Sequence, residues 1–434
     1  MATELNERQQ AALDAVIAGR NIFLTGAGGT GKSHTIRAIQ SWALNKGIRV
    51  AVTAMTGCAA LLLNADDKGP KRAKTLHSWA GVGLGREAPH ELAAIIEKNR
   101  RAKSRWVMTQ LLIVDEISMM MADFLEKLDF VARRIRRKPD QRFGGLQLVF
   151  AGDFCQLPPV SKDTIHYVFE SPVWSSLLDE SHYLTQIVRQ TDPVFQRILT
   201  EARMGSLTPE SLAILESRKG LGWQENEIRP TLLFTRNAEV DSINRKNMEA
   251  LDGERRTYEA KTVTGAASGS STLDPEIQKG LAKLDADAPY SPSLELCVGA
   301  QVMLLTNMNQ EHGLVNGSRG IVTGYSPGGL PMVRFLGFTD PVLVDRAHWW
   351  LADHDMIGRS QIPLKVAYAI TIHKSQGATL DSALIDVGSR TFEYGQAYVA
   401  LSRCRSLEGL YIWSLDPTRI MCHPAVKKFY EGLA

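Results

Sequence analysis

The stretch Gly26-Ala-Gly-Gly-Thr-Gly-Lys-Ser33 constrains this chain more than any other. Ahead of it runs Asn21-Ile-Phe-Leu-Thr25, an apolar segment of buried-strand length. Behind it, residues 34–44 have helical spacing, with Ile36, Ile39 and Leu44 among the apolar positions. A strand, a glycine loop and a helix in that order make a phosphate-binding P-loop. Backbone N–H groups converge on an anion, and the helix opening at Gly31 turns its positive end to the same point. Gly26, Ala27, Gly28, Gly29, Thr30 and Gly31 would form the cradle, with His34 just beyond it. Lys32 would reach the β- and γ-phosphates, and the Ser33 hydroxyl would ligate Mg²⁺. The chain is expected to bind a nucleoside triphosphate.

The surrounding pattern supplies a fold for that loop. Short β-rich apolar runs at Arg49–Ala54, Leu111–Glu116 and Leu146–Gly152 alternate with helical patterns, which predicts a parallel sheet covered on both faces. A second set of such runs comes later, at Thr231–Thr235, Ser382–Val387 and Leu410–Ser414. Between the halves of this second set the texture changes. Gly265–Thr272 is polar and Gly/Ser-rich, Asn316-Gly317 is a strong turn pair, and Ser326–Pro331 separates two strand-like runs, Gly320–Tyr325 and Met332–Phe335. This predicts a small SH3-like β-barrel at 246–357, inserted into a second α/β domain made of 188–245 and 358–434. The first α/β domain spans 1–187, with a small wedge-like insertion at about 64–82.

Composition narrows the class. With 434 residues, 44% of them hydrophobic, the chain can fill two or three cores. No apolar run approaches a membrane span, and the N-terminus reads as neither a signal nor a transit peptide. The five cysteines, Cys58, Cys155, Cys297, Cys404 and Cys422, are scattered without a CxxC pair, so neither a disulfide framework nor a zinc site is indicated. A reducing cytoplasm is the expected setting, nucleoid-associated if the source is a bacterium. A net charge of +3 permits a nucleic-acid partner without demanding one.

Cleaving the nucleotide needs more than a cradle. Asp115 and Glu116 end the very hydrophobic run Leu111–Val114, which puts two carboxylates at the carboxyl edge of the sheet, beside the P-loop. Asp115 would hold Mg²⁺ through water, and Glu116 would orient and deprotonate the attacking water. The next strand ends in Gly152-Asp-Phe-Cys-Gln156, where Gln156 would touch both the γ-phosphate and that water.

Several longer motifs occur in a telling order: Thr53–Ala60, Thr75–Gly81, Asp115–Ser118, Gly152–Pro159, Ile370–Gly377 and Tyr398–Arg403. The series resembles that of a superfamily 1 helicase. Asp123–Arg136 followed by Phe143-Gly-Gly145 is similar to the signature of the petite integration frequency (PIF) DNA helicases. The resemblance runs from Leu5 to about Trp413. It implies two RecA-like P-loop NTPase domains and an ATP-dependent helicase moving 5′ to 3′ on single-stranded DNA, for replication, repair or recombination. It also implies that Gln9 reads the adenine edge, that Arg189 and Arg403 approach the γ-phosphate from the second domain, and that Gln376 and Gly377 border the nucleotide.

The same resemblance lays single-stranded DNA across both α/β domains. The implied contacts are Thr53, Thr56, Gly57, His77, Trp79, Pro158, Thr235, Asn237, Thr371, His373, Lys374 and Ser375. Hydroxyls, amides and backbone N–H groups at these positions would grip phosphates without reading sequence. Trp79 reads equally as a base-stacking residue and as a core anchor. The basic run Arg133, Arg134, Arg136, Arg137, Lys138 reads as a solvated helix face. Single-strand/duplex junctions are the implied partners of a chain that is monomeric when free. The choice among forks, G-quadruplexes, RNA–DNA hybrids and displacement loops stays open. A RecD- or Dda-like helicase is the alternative within the class, and a DNA-binding nucleotide switch without processive unwinding is the alternative outside it.

Overall fold

The five residues Ile22–Gly26 are all buried, which only a strand covered on both faces achieves, and this strand (β1) lies in the interior of a six-stranded parallel sheet. The structure is a computed structural model and describes residues 4–63, 73–159, 164–223, 228–264, 274–309, 312–351 and 354–433. The other strands of the first sheet are β2 (Val50–Ala54), β3 (Lys74–Thr75), β4 (Leu111–Asp115), β5 (Gln147–Gly152) and β6 (Glu180–Leu184). Their spatial order is β3-β2-β4-β5-β1-β6. All pairings are parallel, so every carboxyl end opens on one edge, and the P-loop, the Asp115-Glu116 pair and the Gln156 loop share that edge.

The second block opens with β7 (Thr231–Phe234) and the helix Asn237–Glu249. The chain then leaves through ten mostly antiparallel strands: β8 (Arg255–Glu259), β9 (Lys261–Thr264), β10 (Ser293–Cys297), β11 (Gln301–Leu304), β12 (Arg319–Tyr325), β13 (Pro331–Phe335), β14 (Val342–Leu343), β15 (Ala347–Leu351), β16 (His354–Gln361) and β17 (Leu364–Val366). It returns as β18 (Ala369–Thr371), β19 (Ala383–Val387) and β20 (Leu410–Leu415), which form a parallel sheet of order β18-β7-β19-β20. The first parallel sheet has an apolar core on each face, the second sheet has its own, and the insertion has another around Leu296, Val302, Val322, Val333 and Phe335. The architecture is thus two RecA-like parallel-sheet units with a β insertion in the second.

The hairpin expected around Ser326–Pro331 is present, with β12 and β13 antiparallel and Ser326 N–H donating to Leu330 O at 2.8 Å. Two features differ from the sequence expectation. A far boundary at 357 falls inside β16, and antiparallel pairing continues until Val366 meets Val302. The helix Pro275–Asp287 also stands in what read as hairpin texture, with Ile277 and Leu281 buried one turn apart against Leu351 and Ile357. Residues 64–72 of the expected wedge lie outside the described residues, as does Gly265–Thr272. The rest of the wedge is tied to the sheet edge: β3 pairs with β2, and the helix Leu76–Ala80 is capped by Thr75.

Arg134, Arg137 and Lys138 of the basic run are exposed, as a solvated face requires, while Arg133, Arg134 and Arg136 also make bonds within the fold. Arg133 pairs with Asp129 at 2.7 Å and Arg134 with Glu97 at 3.0 Å. Arg136 donates to the carbonyls of Trp106, Thr109 and Gly144, closing the end of the helix Arg100–Met108. Asp129 also accepts from Phe143 N–H at 2.7 Å, so the two halves of the PIF-like signature hold each other.

Candidate nucleotide site and nucleic-acid face

The P-loop conformation follows from its glycines. Gly29 and Gly31 have φ of +88° and +89°, the left-handed region that L side chains rarely enter. A Cβ on Gly31 would lie 2.4 Å from Gln9 Nε2, and one on Gly29 would lie 2.7 Å from Arg189 Cβ. Gln9 is buried, closes a capping box with Asn6, and donates to Thr30 O at 3.2 Å. It therefore stands beside the cradle. Ser33 is exposed in the first turn of the helix Lys32–Asn45.

Lys32 folds back on its own loop, donating to Gly26 O at 2.7 Å and Ala27 O at 3.1 Å. Burial lowers its pKa, and the carboxylates of Asp153, Glu116 and Asp115 oppose that shift. Burial raises the pKa of Asp115, whose Oδ1 accepts from Glu116 N–H at 2.9 Å. Burial, and then the Asp115 charge, push Glu116 up to about 7. Glu116 also sits at φ 54°, ψ 42°, a left-handed conformation unusual for a residue other than glycine. A carboxylate whose pKa is raised toward neutrality is suited to accept a proton.

The second unit supplies the opposite charge. Arg403 is 3% exposed, and its Nε and Nη2 donate to Val399 O and Ser402 Oγ. Arg189 Nη1 donates to Ser402 O at 3.3 Å. Among the described residues neither guanidinium has a carboxylate within ion-pairing distance. Burial, and then Arg189, bring the Arg403 pKa down to about 9. Two desolvated cations facing a P-loop form a preorganised anion site. The cradle, the acidic pair and the two arginines fit a nucleoside triphosphate with its Mg²⁺.

Tyr398 is a residue of this site that sequence reasoning passed over. Its hydroxyl accepts from Gly28 N–H at 2.7 Å, across the junction of the two units. The residue lies in the motif Tyr398–Arg403, on the helix Gln396–Leu401 that leads to Arg403. Gln156 is buried behind its loop, with its N–H donating to Asp153 O at 2.9 Å. His34 is half-buried on the helix that follows the cradle. Gln376 is half-buried, and Gly377 faces Leu62 of the helix Gly57–Leu63, where a Cβ would lie 2.2 Å from Leu62 Cδ1. Among the described residues no hydrogen bond joins either to the P-loop.

The expected DNA contacts divide by exposure. Asn237 and Lys374 are exposed, while Thr56, Gly57, His77 and His373 are half-exposed, and these can meet a strand. Thr56 Oγ1 accepts from Ala59 N–H at 3.2 Å, and the His77 ring stacks on Phe124 at 4.5 Å. Thr371 ends β18 and Thr235 directly follows β7, its parallel neighbour, so the loops beyond the two strands lie side by side. Both are buried, as is Pro158. Three side chains must be withdrawn as direct contacts. Thr53 is fully buried and donates to Ile113 O at 2.8 Å, and Ser375 Oγ is turned inward onto Ile372 O at 2.7 Å. Trp79 is 3% exposed and packs on Trp106 at 4.6 Å, so the core reading holds and no ring face is left for a base.

Fold and site together define the P-loop NTPase class, with two RecA-like units and the P-loop of the first facing Tyr398, Arg189 and Arg403 of the second. The PIF1-like helicase model matches residues 4–202, and a model of the DNA helicase Pif1 2B domain matches residues 281–325. The zebrafish ATP-dependent DNA helicase PIF1 is 39% identical over 100% of this chain. The crystal structure of Pif1 helicase from Candida albicans is 33% identical with a TM-score of 0.77, covering 99% of this chain and 100% of that one. Bacteroides Pif1 bound to ssDNA is 29% identical with a TM-score of 0.64, covering 99% and 97% of the two chains. The chain belongs to the PIF1-like helicase family. It spans 64% of the zebrafish protein's length.

Proposed function

We propose that this chain is an ATP-dependent DNA helicase that moves 5′ to 3′ along single-stranded DNA and opens duplex or structured DNA. The observation that carries the reading is a pair of arginines, buried Arg403 and half-buried Arg189, set against a P-loop on the other unit with no carboxylate partner among the described residues. A charge that completes the site only when the units are together couples hydrolysis to their relative motion. Membership of the family and the ssDNA-bound Bacteroides relative support DNA as the track.

Each residue has a definite task in this reading. Gln9 reads the adenine edge. Lys32 leaves the Gly26 and Ala27 carbonyls for the β- and γ-phosphates, and the loop amides take the remaining phosphate oxygens. Ser33 and, through water, Asp115 would hold Mg²⁺, which would neutralise charge on the phosphates when bound. Glu116 accepts the proton of the attacking water, Gln156 positions that water, and Arg189 and Arg403 stabilise the charge that develops. Closure and reopening of the junction shift the grip of Thr56, Asn237 and Lys374 along the backbone.

One ATPase assay with and without an unstructured oligonucleotide tests the reading. Stimulation is expected, whereas a nucleotide switch without motion predicts none. Strand separation on substrates with a 5′ or a 3′ tail fixes the direction, and a panel of forks, G-quadruplexes and RNA–DNA hybrids gives the preferred structure. Affinity for single strands should vary little with base sequence and fall with salt, with a log–log slope of about −0.7 per phosphate neutralised. Salt-insensitive binding would contradict a grip on the backbone.

The β insertion supports a second test. The Asn244 side chain exchanges two hydrogen bonds of 2.9 Å with the Ala369 backbone, so the chain leaves and re-enters the second unit at neighbouring points. A Gly/Ser linker joining Ala250 to Ala367 should leave a folded protein that binds ATP, retains some DNA-stimulated turnover, and separates strands poorly. Near-normal unwinding by that deletion would show the insertion to be dispensable.

A further inference from the structure

Behind the P-loop, five side chains outside the proposed chemistry converge: Thr25, Asp153, Tyr183, Arg203 and Tyr430. Asp153 follows β5 directly and is fully buried. Its Oδ1 accepts from Arg203 Nη2 at 2.8 Å, from the Tyr430 hydroxyl at 3.1 Å and from Cys155 N–H at 3.2 Å. Its Oδ2 accepts from Arg203 Nε at 3.0 Å. The Tyr430 hydroxyl accepts from Phe154 N–H at 3.0 Å and lies 2.8 Å from Thr25 Oγ1. An ionised carboxylate only accepts and an amide only donates. The phenolic proton therefore goes to Asp153, and the Thr25 proton goes to the phenol. The Arg203 guanidinium lies 4.4 Å over the Tyr430 ring, and its Nη1 donates to the Tyr183 hydroxyl at 2.9 Å.

The cluster joins five parts of the chain, Tyr183 coming from β6. Thr25 is the last residue before the cradle, and Asp153, Phe154 and Cys155 begin the loop that ends in Gln156. Arg203 comes from the helix Pro193–Met204, which follows Arg189, and Tyr430 from the C-terminal helix Pro424–Glu431. Apolar side chains would join the same segments without the desolvation cost of a buried ion pair. Directional bonds do what apolar packing cannot: they fix separations and orientations.

Building on the ATPase reading above, we propose that Tyr430 and Arg203, acting through Asp153, are positioning residues that hold the Gln156 loop at a set distance from the P-loop. Turnover then depends on the seating of the C-terminal helix, although neither residue touches the nucleotide. Phe429, beside Tyr430, stacks on Phe169 at 4.4 Å and meets Phe154 edge-on at 5.3 Å, so it anchors the same helix by apolar contact alone.

The test measures kcat, KM for ATP and Tm of the full chain with saturating single-stranded DNA. Tyr430→Phe keeps the ring and removes the hydroxyl; kcat should fall about tenfold, with KM within about twofold of wild type. Arg203→Lys keeps a charge but loses the two-pronged grip, and should lower kcat similarly. Phe429→Leu thins the packing and leaves the hydroxyl network, so it should lower Tm with kcat within about twofold of wild type. Wild-type kcat in Tyr430→Phe would overturn the positioning role alone. Loss of kcat in Phe429→Leu as large as in Tyr430→Phe would reduce the network to general stability and overturn it too. Absence of any turnover in the wild-type chain would instead overturn the ATPase reading and this proposal with it.

Discussion

Arg403→Ala is expected to lower ATP turnover by ~10³–10⁵, the range that an arginine acting on transferring phosphoryl oxygens commands. The protein should remain folded. Arg403 is buried with no acid partner among the described residues, and its near neighbour Arg189 carries the same charge, so the guanidinium costs stability as long as no anion is present. Removing it should leave the Tm of the nucleotide-free protein unchanged or slightly raised, while kcat collapses. The rise in Tm on adding a non-hydrolysable ATP analogue should shrink only modestly, because the charge matters most in the transition state. The pair of readouts decides the role. Loss of folding, or loss of nucleotide affinity as severe as the loss of turnover, would make Arg403 a structural or ground-state binding residue.

The second large effect belongs to Glu116→Gln. The amide keeps the shape and leaves Asp115 in place, but it cannot take a proton, and a general base contributes ~10²–10⁴ in rate. Nucleotide affinity should hold or improve, since the substitution takes a negative charge away from a site that must receive a triphosphate. Burial beside Asp115 already makes ionisation of Glu116 costly, which brings its pKa to about 7. The variant should therefore trap ATP. Single-turnover cleavage and equilibrium binding of a fluorescent analogue separate the two steps, and turnover within about tenfold of wild type would remove Glu116 from the base role.

Much of this was legible because the informative signals are local. Strands β1, β2, β4 and β5 fall within a residue or two of the apolar runs, since a strand buried on both faces must be continuously apolar. The cradle, Lys32, Asp115 and Glu116 are likewise written in short segments whose backbone geometry their own residues dictate. Other signals were present and went unread. Asp274 and Pro275 mark a helix start, and Ile277 and Leu281 give its buried stripe, yet the neighbouring Gly/Ser run drew the segment into hairpin texture.

The sequence by itself determined the phosphate cradle, the acidic pair, the parallel sheets and the inserted antiparallel region, because periodicity and glycine chemistry act over a few residues. Tertiary structure alone decided exposure and convergence. Thr53, Trp79 and Ser375 sit in motifs whose order suggested contact with a strand, but their side chains are turned into the protein. Tyr398 reaches Gly28 across 370 residues, and Tyr430 reaches Asp153 across 277. No pattern within a short window encodes such meetings, because they depend on how two sheets and a terminal helix pack.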